Sequence, residues 1–273
     1  MAISLHTNYA ALLTQTNMSK TNNALGTNQQ RLGTGFRVNS AADDAAGLQI
    51  ATRLNAQARG QSVAQRNAQD GISMLQTAEG ALNEYTNVLL RMKDLAIQAN
   101  NGTNGSSELS ALDAEFQELQ KELEAIGTKT TYGKGVDLFG DKLANDFTLQ
   151  IGATSADAET ITAIANIGDV ATGIASQDLT TDAGAAMDEV DTLLDTVGAI
   201  RGELGANINR LSHTINNLAN MADNTNTAMG RIMDTDFASE STKMTKNNML
   251  MQSSVAMLKQ TSQMSGLALS LLG

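Results

Sequence analysis

The sequence predicts a mainly α-helical protein, an elongated antiparallel bundle or coiled coil interrupted by one small β-hairpin region. Three observations carry this. Apolar residues recur at alternating three- and four-residue steps over most of the chain, proline is absent from all 273 residues, and aromatic residues make up only 3%. Average usage would supply about a dozen prolines, so nothing sterically interrupts long helices. So few aromatic rings argue against a compact core built on them and favour an extended aliphatic seam.

The first long element follows from Ala64, Ala68, Leu75, Ala78, Leu82, Tyr85, Leu89, Met92, Ala96 and Ala99. That spacing predicts a helix from about Asp44 to Asn100, on the order of 85 Å long at 1.5 Å per residue. The run Asn100-Asn101-Gly102-Thr103-Asn104-Gly105 stops it, because Asn and Gly accept the backbone conformations of a reversal. Ser106 or Ser107 is placed to cap a second helix carrying Leu109, Leu112, Phe116, Leu119, Leu123 and Ile126, packed antiparallel to the first.

From Gly127 the period changes. Phe147–Ile151 and Glu159–Ile164 alternate apolar and polar residues with Gly, Asp and Asn between them, predicting a hairpin region over about 128–172. Beyond Thr180 the helical step returns through Ala186, Val190, Leu193, Val197, Ile200 and Leu204, then Ile208, Leu211, Ile215, Leu218, Ala222, Thr225, Met229 and Ile232. Two four-residue steps adjoin at Leu204, a single slip of phase. Three long helices therefore share one antiparallel core.

The two ends differ from the middle. Residues 1–60 carry a net charge of +3, residues 61–200 carry −15, and residues 201–273 carry +1. Met18, Leu25 and Leu32 mark a stripe on the N-terminal segment among weak helix formers, so alone it would be marginal as a helix in water. The last thirty residues form two seven-residue columns, Met244, Met251, Leu258 and Leu272 (with Ser265 between the last two) beside Leu250, Met257, Met264 and Leu271. One partner helix cannot cover both. Both ends are expected to be largely disordered in the isolated chain and to become helical together on self-assembly.

Several functions are excluded or disfavoured. No cysteine is present, which removes disulfides and thiolate chemistry. The 18 Lys and Arg are scattered against 29 Asp and Glu, so no basic face exists for nucleic acid. No run approaches the roughly 20 apolar residues of a membrane span, and Met1–Leu13 lacks a secretory signal pattern. Asp43-Asp44 reads as a helix cap rather than a catalytic pair, His6 and His213 lack companions for a metal site, and Asp182–Asp195 reads as a solvated face. Neither catalysis, a cofactor nor a metal is indicated.

Residues Gln30–Leu48, reading QRLGTGFRVNSAADDAAGL, resemble the N-terminal signature of bacterial flagellin, with Gly33 and Thr34 where the family has Ser-Ser. Arg66–Ser73, Thr77–Glu84, Arg231–Glu240 and Leu267–Leu272 resemble it further, so the similarity spans nearly the whole chain. The resemblance implies a structural subunit of the extracellular flagellar filament that serves motility. Residues 1–42 and 236–273 would then pair as long helices in an inner coiled coil, with Met18, Leu25, Leu32, Met251, Leu258, Met264 and Leu271 at the assembly interface. Residues 43–235 would form the helical layer around it. It also implies type III export, an export chaperone at the C-terminal segment, contact with the filament cap and hook-associated proteins, and a minimal form without large outer domains. Arg91, Leu95 and Glu115 match positions recognised by the flagellin-sensing Toll-like receptor. A hook–filament junction protein is the alternative within the same family.

Overall fold

The computed structural model describes residues 8–133, 135–162, 173–174 and 177–270, the side chains of 264–270 excepted. The elements bounded by described residues are, in chain order, α1 (Tyr9–Thr34), α2 (Ala45–Ala99), α3 (Ser106–Lys129), a π-helical turn (Leu138–Lys142), β1 (Phe147–Gln150), β2 (Ala158–Ile161), α4 (Leu179–Met233) and α5 (Phe237–Ser270). The chain divides into two compact units, residues 1–56 with 224–273, and residues 57–223.

In the unit of residues 57–223, α2, α3 and α4 enclose one apolar core. Leu75, Leu82, Tyr85, Leu89 and Met92 of α2 meet Phe116 and Leu123 of α3 and Val190, Leu193, Val197 and Leu204 of α4. The three- and four-residue steps place these side chains on one stripe of each helix, as a coiled-coil-like seam requires. Ion pairs fix the direction: Arg201 reaches Glu79 at 2.8 Å and Lys93 reaches Asp191, so α4 runs antiparallel to α2. The slip at Leu204 leaves the helix unbroken, with Leu204 fully buried.

One helix start differs from expectation, and another is set by an acid expected only on a solvated face. Neither Ser106 nor Ser107 caps α3; Gly105 occupies the cap position in extended conformation, with no side-chain hydrogen bond. The turn is instead closed by Asn104, whose amide donates to the Gln98 carbonyl at 2.6 Å. In α4, Asp182 adopts non-helical angles (φ −154, ψ 88) and accepts the Ala185 N–H at 3.0 Å, so it caps the long part of that helix. Asp113 of α3 accepts the Leu179 N–H at 3.0 Å, holding the beginning of α4 against α3.

β1 and β2 pair antiparallel, with Phe147 opposite Ile161 and Gln150 opposite Ala158. The strands occupy 147–161 of the predicted region; Ala163 and Ile164 lie outside the described residues. Apart from the hairpin, the Leu138 N–H meets the Thr130 carbonyl at 2.9 Å and Thr131 bridges Asp137. The hairpin lies on α2 because two glycines let it approach. A Cβ at Gly60 would stand 2.8 Å from Ala153 Cβ, and one at Gly71 would stand 2.5 Å from Leu149 Cδ1. Asn67 donates to the Gln150 carbonyl at 2.8 Å, and Arg210 of α4 pairs with Glu159 of β2.

In the unit of residues 1–56 and 224–273, α1 and α5 lie against each other. Asn8 donates to the Thr261 carbonyl and Arg31 approaches Glu240 at 3.9 Å, so the pair is antiparallel. Residues 9–34 and 237–270 are thus helical within a single chain, in contrast to the disorder expected of the two ends. Each marginal helix supplies the partner the other lacks.

Candidate assembly interface

The segments that enter and leave the terminal helices are tied by backbone bonds. Gly35 ends α1 in the left-handed conformation (φ 76), returning its N–H to the Arg31 carbonyl at 2.9 Å. Its own carbonyl accepts the Thr235 N–H at 2.9 Å, and Arg37 N–H meets the Met233 carbonyl at 2.6 Å. Arg37 adds a side-chain bond to the Ile232 carbonyl at 2.7 Å.

Acidic side chains punctuate this unit. Asp44 caps α2 by accepting the Gly47 N–H at 2.8 Å, and Asp236 caps α5 by accepting from Ala238 and Ser239. Asp43 accepts the Ser40 N–H at 2.9 Å, the Ser40 hydroxyl at 3.0 Å and the Asn39 N–H at 3.1 Å. The Ser40 hydroxyl, followed by these N–H groups, holds its carboxyl below the ordinary carboxylate value. Arg31 stands 4.0 Å from Asp43 and 3.9 Å from Glu240, linking α1, the following loop and α5. Asp44 is therefore a helix cap and Asp43 closes the loop before it, and no group of three metal-ligating side chains occurs among the described residues.

Along α1 the covered positions include Ala11, Thr14, Met18, Thr21, Leu25, Asn28 and Leu32, with Ala24, Thr27 and Arg31 beside them; along α5 they are Glu240, Met244, Asn247, Met251, Ser254, Leu258 and Thr261. Both series advance by three and four residues, the step that keeps one face of each helix against the other. Of the residues predicted at the interface, Met18, Leu25, Leu32, Met251 and Leu258 are half-buried in this seam. The side chain of Met264, and Leu271 altogether, lie outside the described residues. The second α5 column is turned outward: Leu250 is 45% exposed and Met257 57%. Met249 and Val255 beside it are also exposed, as are Tyr9, Leu12 and Leu13 of α1. The seven-residue spacing of Leu250 and Met257 was the signal for this outward column.

The predicted receptor-facing residues separate in depth. Arg91 Nε and Nη2 both donate to one oxygen of Glu115, at 3.0 and 2.6 Å, with both side chains about half exposed. Leu95 is only 1% exposed and belongs to the three-helix core. The apolar side chains exposed nearby on α2 are Leu90 and Ile97.

No described helix is long and apolar enough to cross a membrane. Comparison with known proteins is consistent along the chain. Residues 5–142 match the bacterial flagellin N-terminal helical region and residues 187–272 match the bacterial flagellin C-terminal helical region. The intervening residues 143–186 include the hairpin.

A flagellin of Halalkalibacterium halodurans is 42% identical over 246 positions, covering 89% of this chain and 90% of that one. Flagellin A of Vibrio anguillarum is 34% identical over 384 positions, covering all of both chains. That alignment is longer than these 273 residues by 111 positions, so at least that many have no counterpart here. A Bacillus cereus flagellin crystal structure is 35% identical, over 56% of this chain and 88% of that one, with a TM-score of 0.49. Both terminal regions and full-length relatives agree, and the chain belongs to the bacterial flagellin family.

Proposed function

We propose that this flagellin polymerises by covering the outward apolar column of α5 with neighbouring copies, while the column facing α1 holds each subunit's own terminal pair together. As a member of its family it is a structural subunit of the extracellular bacterial flagellar filament and not an enzyme. The observation that carries the finer reading is the exposure of Leu250 and Met257 beside a seam that already buries Met251 and Leu258. Apolar area removed from water contributes about 25 cal/mol per Å², so a continuous column repeated in every subunit drives association.

In this reading residues 1–42 and 236–273 form the filament's inner tube and residues 43–235 the layer around it. The absence of at least 111 positions relative to the Vibrio flagellin supports a minimal subunit with little or no outer domain. The same Met-rich surface is apt for an export chaperone before secretion, since flexible thioethers adapt to different partners. Cap and hook-associated proteins would meet the terminal helices at the ends of the filament. The Toll-like receptor would meet the Arg91–Glu115 pair in the monomer, with Leu95 supporting that surface from beneath.

Electron microscopy of the purified chain after neutralisation from acid tests assembly: long uniform filaments are expected, and persistent monomers would overturn it. Deletion of residues 244–273 is expected to abolish both chaperone capture and polymerisation. Retention of either would separate the two roles and contradict the shared surface.

A further inference from the structure

The chain contains two Asn-Gly pairs, Asn101-Gly102 and Asn104-Gly105, both in the turn between α2 and α3. Their surroundings are opposite. Asn101 and Gly102 are exposed, and Asn101 Oδ1 accepts the Thr103 N–H at 3.4 Å. This side-chain turn folds the Asn101 amide back over the peptide bond to Gly102. Neither the Asn101 amide nitrogen nor the Gly102 N–H is hydrogen-bonded to a described residue, and a Cβ at Gly102 would have nothing within 4 Å.

Asn104 is half-buried, and its amide nitrogen is held by the Gln98 carbonyl at 2.6 Å. Gly105 is fixed as the cap residue of α3, its carbonyl accepting the Leu109 N–H at 3.0 Å.

We propose that Asn101 is a site of spontaneous deamidation and that Asn104, three residues away, is protected by the fold. The Gly102 nitrogen loses its proton to hydroxide and attacks Asn101 Cγ, forming an N–C bond. The Cγ–Nδ2 bond breaks, and the nitrogen takes up a proton and leaves as ammonia. Water opens the resulting five-membered imide at either carbonyl, giving aspartate or isoaspartate with no change of oxidation state. The Thr103 N–H faces the oxygen on which negative charge develops, and a donor so placed lowers the barrier. At Asn104 the leaving nitrogen is held by the Gln98 carbonyl, and the carbonyl of the following Gly105 is committed to the first turn of α3.

The product matters because of its position. Asn101 lines an open groove with Gln98, Asn104, Glu108 and Glu115. A new carboxylate there joins two others beside the C-terminal end of α2, where negative charge is unfavourable. Isoaspartate further inserts a methylene into the backbone of the turn.

The test is peptide mapping by mass spectrometry of the purified protein aged in mildly alkaline buffer. The tryptic peptide Asp94–Lys121 holds both pairs, and its fragment ions assign the mass gain to one or the other. Conversion at Asn101 is expected to be at least about tenfold faster than at Asn104, a barrier difference of about 1.4 kcal/mol. In guanidinium the two rates should converge, because only the fold distinguishes them. Gly102→Ala, which the open space accommodates, should slow the Asn101 reaction without altering the circular dichroism spectrum. Equal native rates, or faster conversion at Asn104, would overturn the proposal.

Discussion

Removing the outward column should weaken assembly more than it weakens the subunit. Fully burying a Leu or Met side chain contributes about 1.5–3 kcal/mol. Leu250 retains 45% of its exposure and Met257 retains 57%, so about half of that remains available to a neighbouring copy. Each side chain then contributes about 1 kcal/mol, and Leu250→Ala with Met257→Ala together remove about 2 kcal/mol per subunit. At about 1.4 kcal/mol per factor of ten, the critical concentration for polymerisation should rise roughly 30-fold. Sedimentation of filaments at graded protein concentrations measures it, and thermal unfolding of the monomer serves as control. Alanine preserves helix propensity but also removes the covered part of each side chain, so the monomer's melting curve should move by less than the assembly effect. An unchanged critical concentration, or a loss of monomer stability of the same size, would refute the assignment of this column to contacts between subunits.

Other outcomes follow from the packing. Gly60→Ala should destabilise the subunit in denaturant, because overpacking against Ala153 costs about 1–3 kcal/mol and exceeds the roughly 1 kcal/mol gained in helix propensity. Gly80→Ala on the same helix, where a Cβ meets nothing within 4 Å, should instead stabilise by about 0.5–1 kcal/mol. Tyr85 is fully buried with an unpartnered hydroxyl, so Tyr85→Phe should raise stability by about 1 kcal/mol. Burial pushes this phenol up to about 12, so spectrophotometric titration should find one tyrosine ionising last. Its contribution is complete below the unfolded value of about 10 and is lost as pH rises towards 12. Asp43 behaves oppositely: its depressed folded value makes the contribution complete above an unfolded value of about 3.9 and lost as pH falls through the lower folded one. Carboxyl shifts followed by NMR should show this, and Asp43→Asn should remove the acid response from residues 39–43.

How much of this could be read beforehand depends on whether the signal is local. Helix α2 was expected over 44–100 and spans Ala45–Ala99, because its start is an Asp cap and its stop an Asn-Gly run, both written in adjacent residues. The strands were legible for the same reason, as alternation within β1 and β2. Gly60 and Gly71 carried no such message. A glycine inside a helix acquires its reason only once a strand 80 or so residues later is laid over it, and that is a tertiary fact. Leu95 matched a receptor-recognised position and lies buried, because motif similarity orders residues along the chain but not by depth. The inward column was the least legible. Met251 and Leu250 are adjacent and equally apolar, about 100° apart on the helix, and only the contact with α1 distinguishes them.

That contact also explains why a second column is required. A stable two-helix coiled coil fills both alternating seam positions with apolar side chains. Here the α1 seam alternates Met18, Leu25 and Leu32 with Thr14, Thr21 and Asn28, and the α5 seam alternates Met244, Met251 and Leu258 with Asn247, Ser254 and Thr261. Half of the positions that could bury apolar surface are polar, and Asn28, only 6% exposed, occupies one of them. Such a pair has a defined register, since a polar seam residue penalises slippage, but it gains about half the burial of an all-apolar seam. The apolar residues missing from the seam reappear one position earlier on α5, as Leu250 and Met257, facing away from α1. A helix that places its second apolar layer outward reaches full burial only when another molecule supplies the covering face. On the proposed reading, the filament adds to the terminal helices the burial that their half-polar seam leaves unmade.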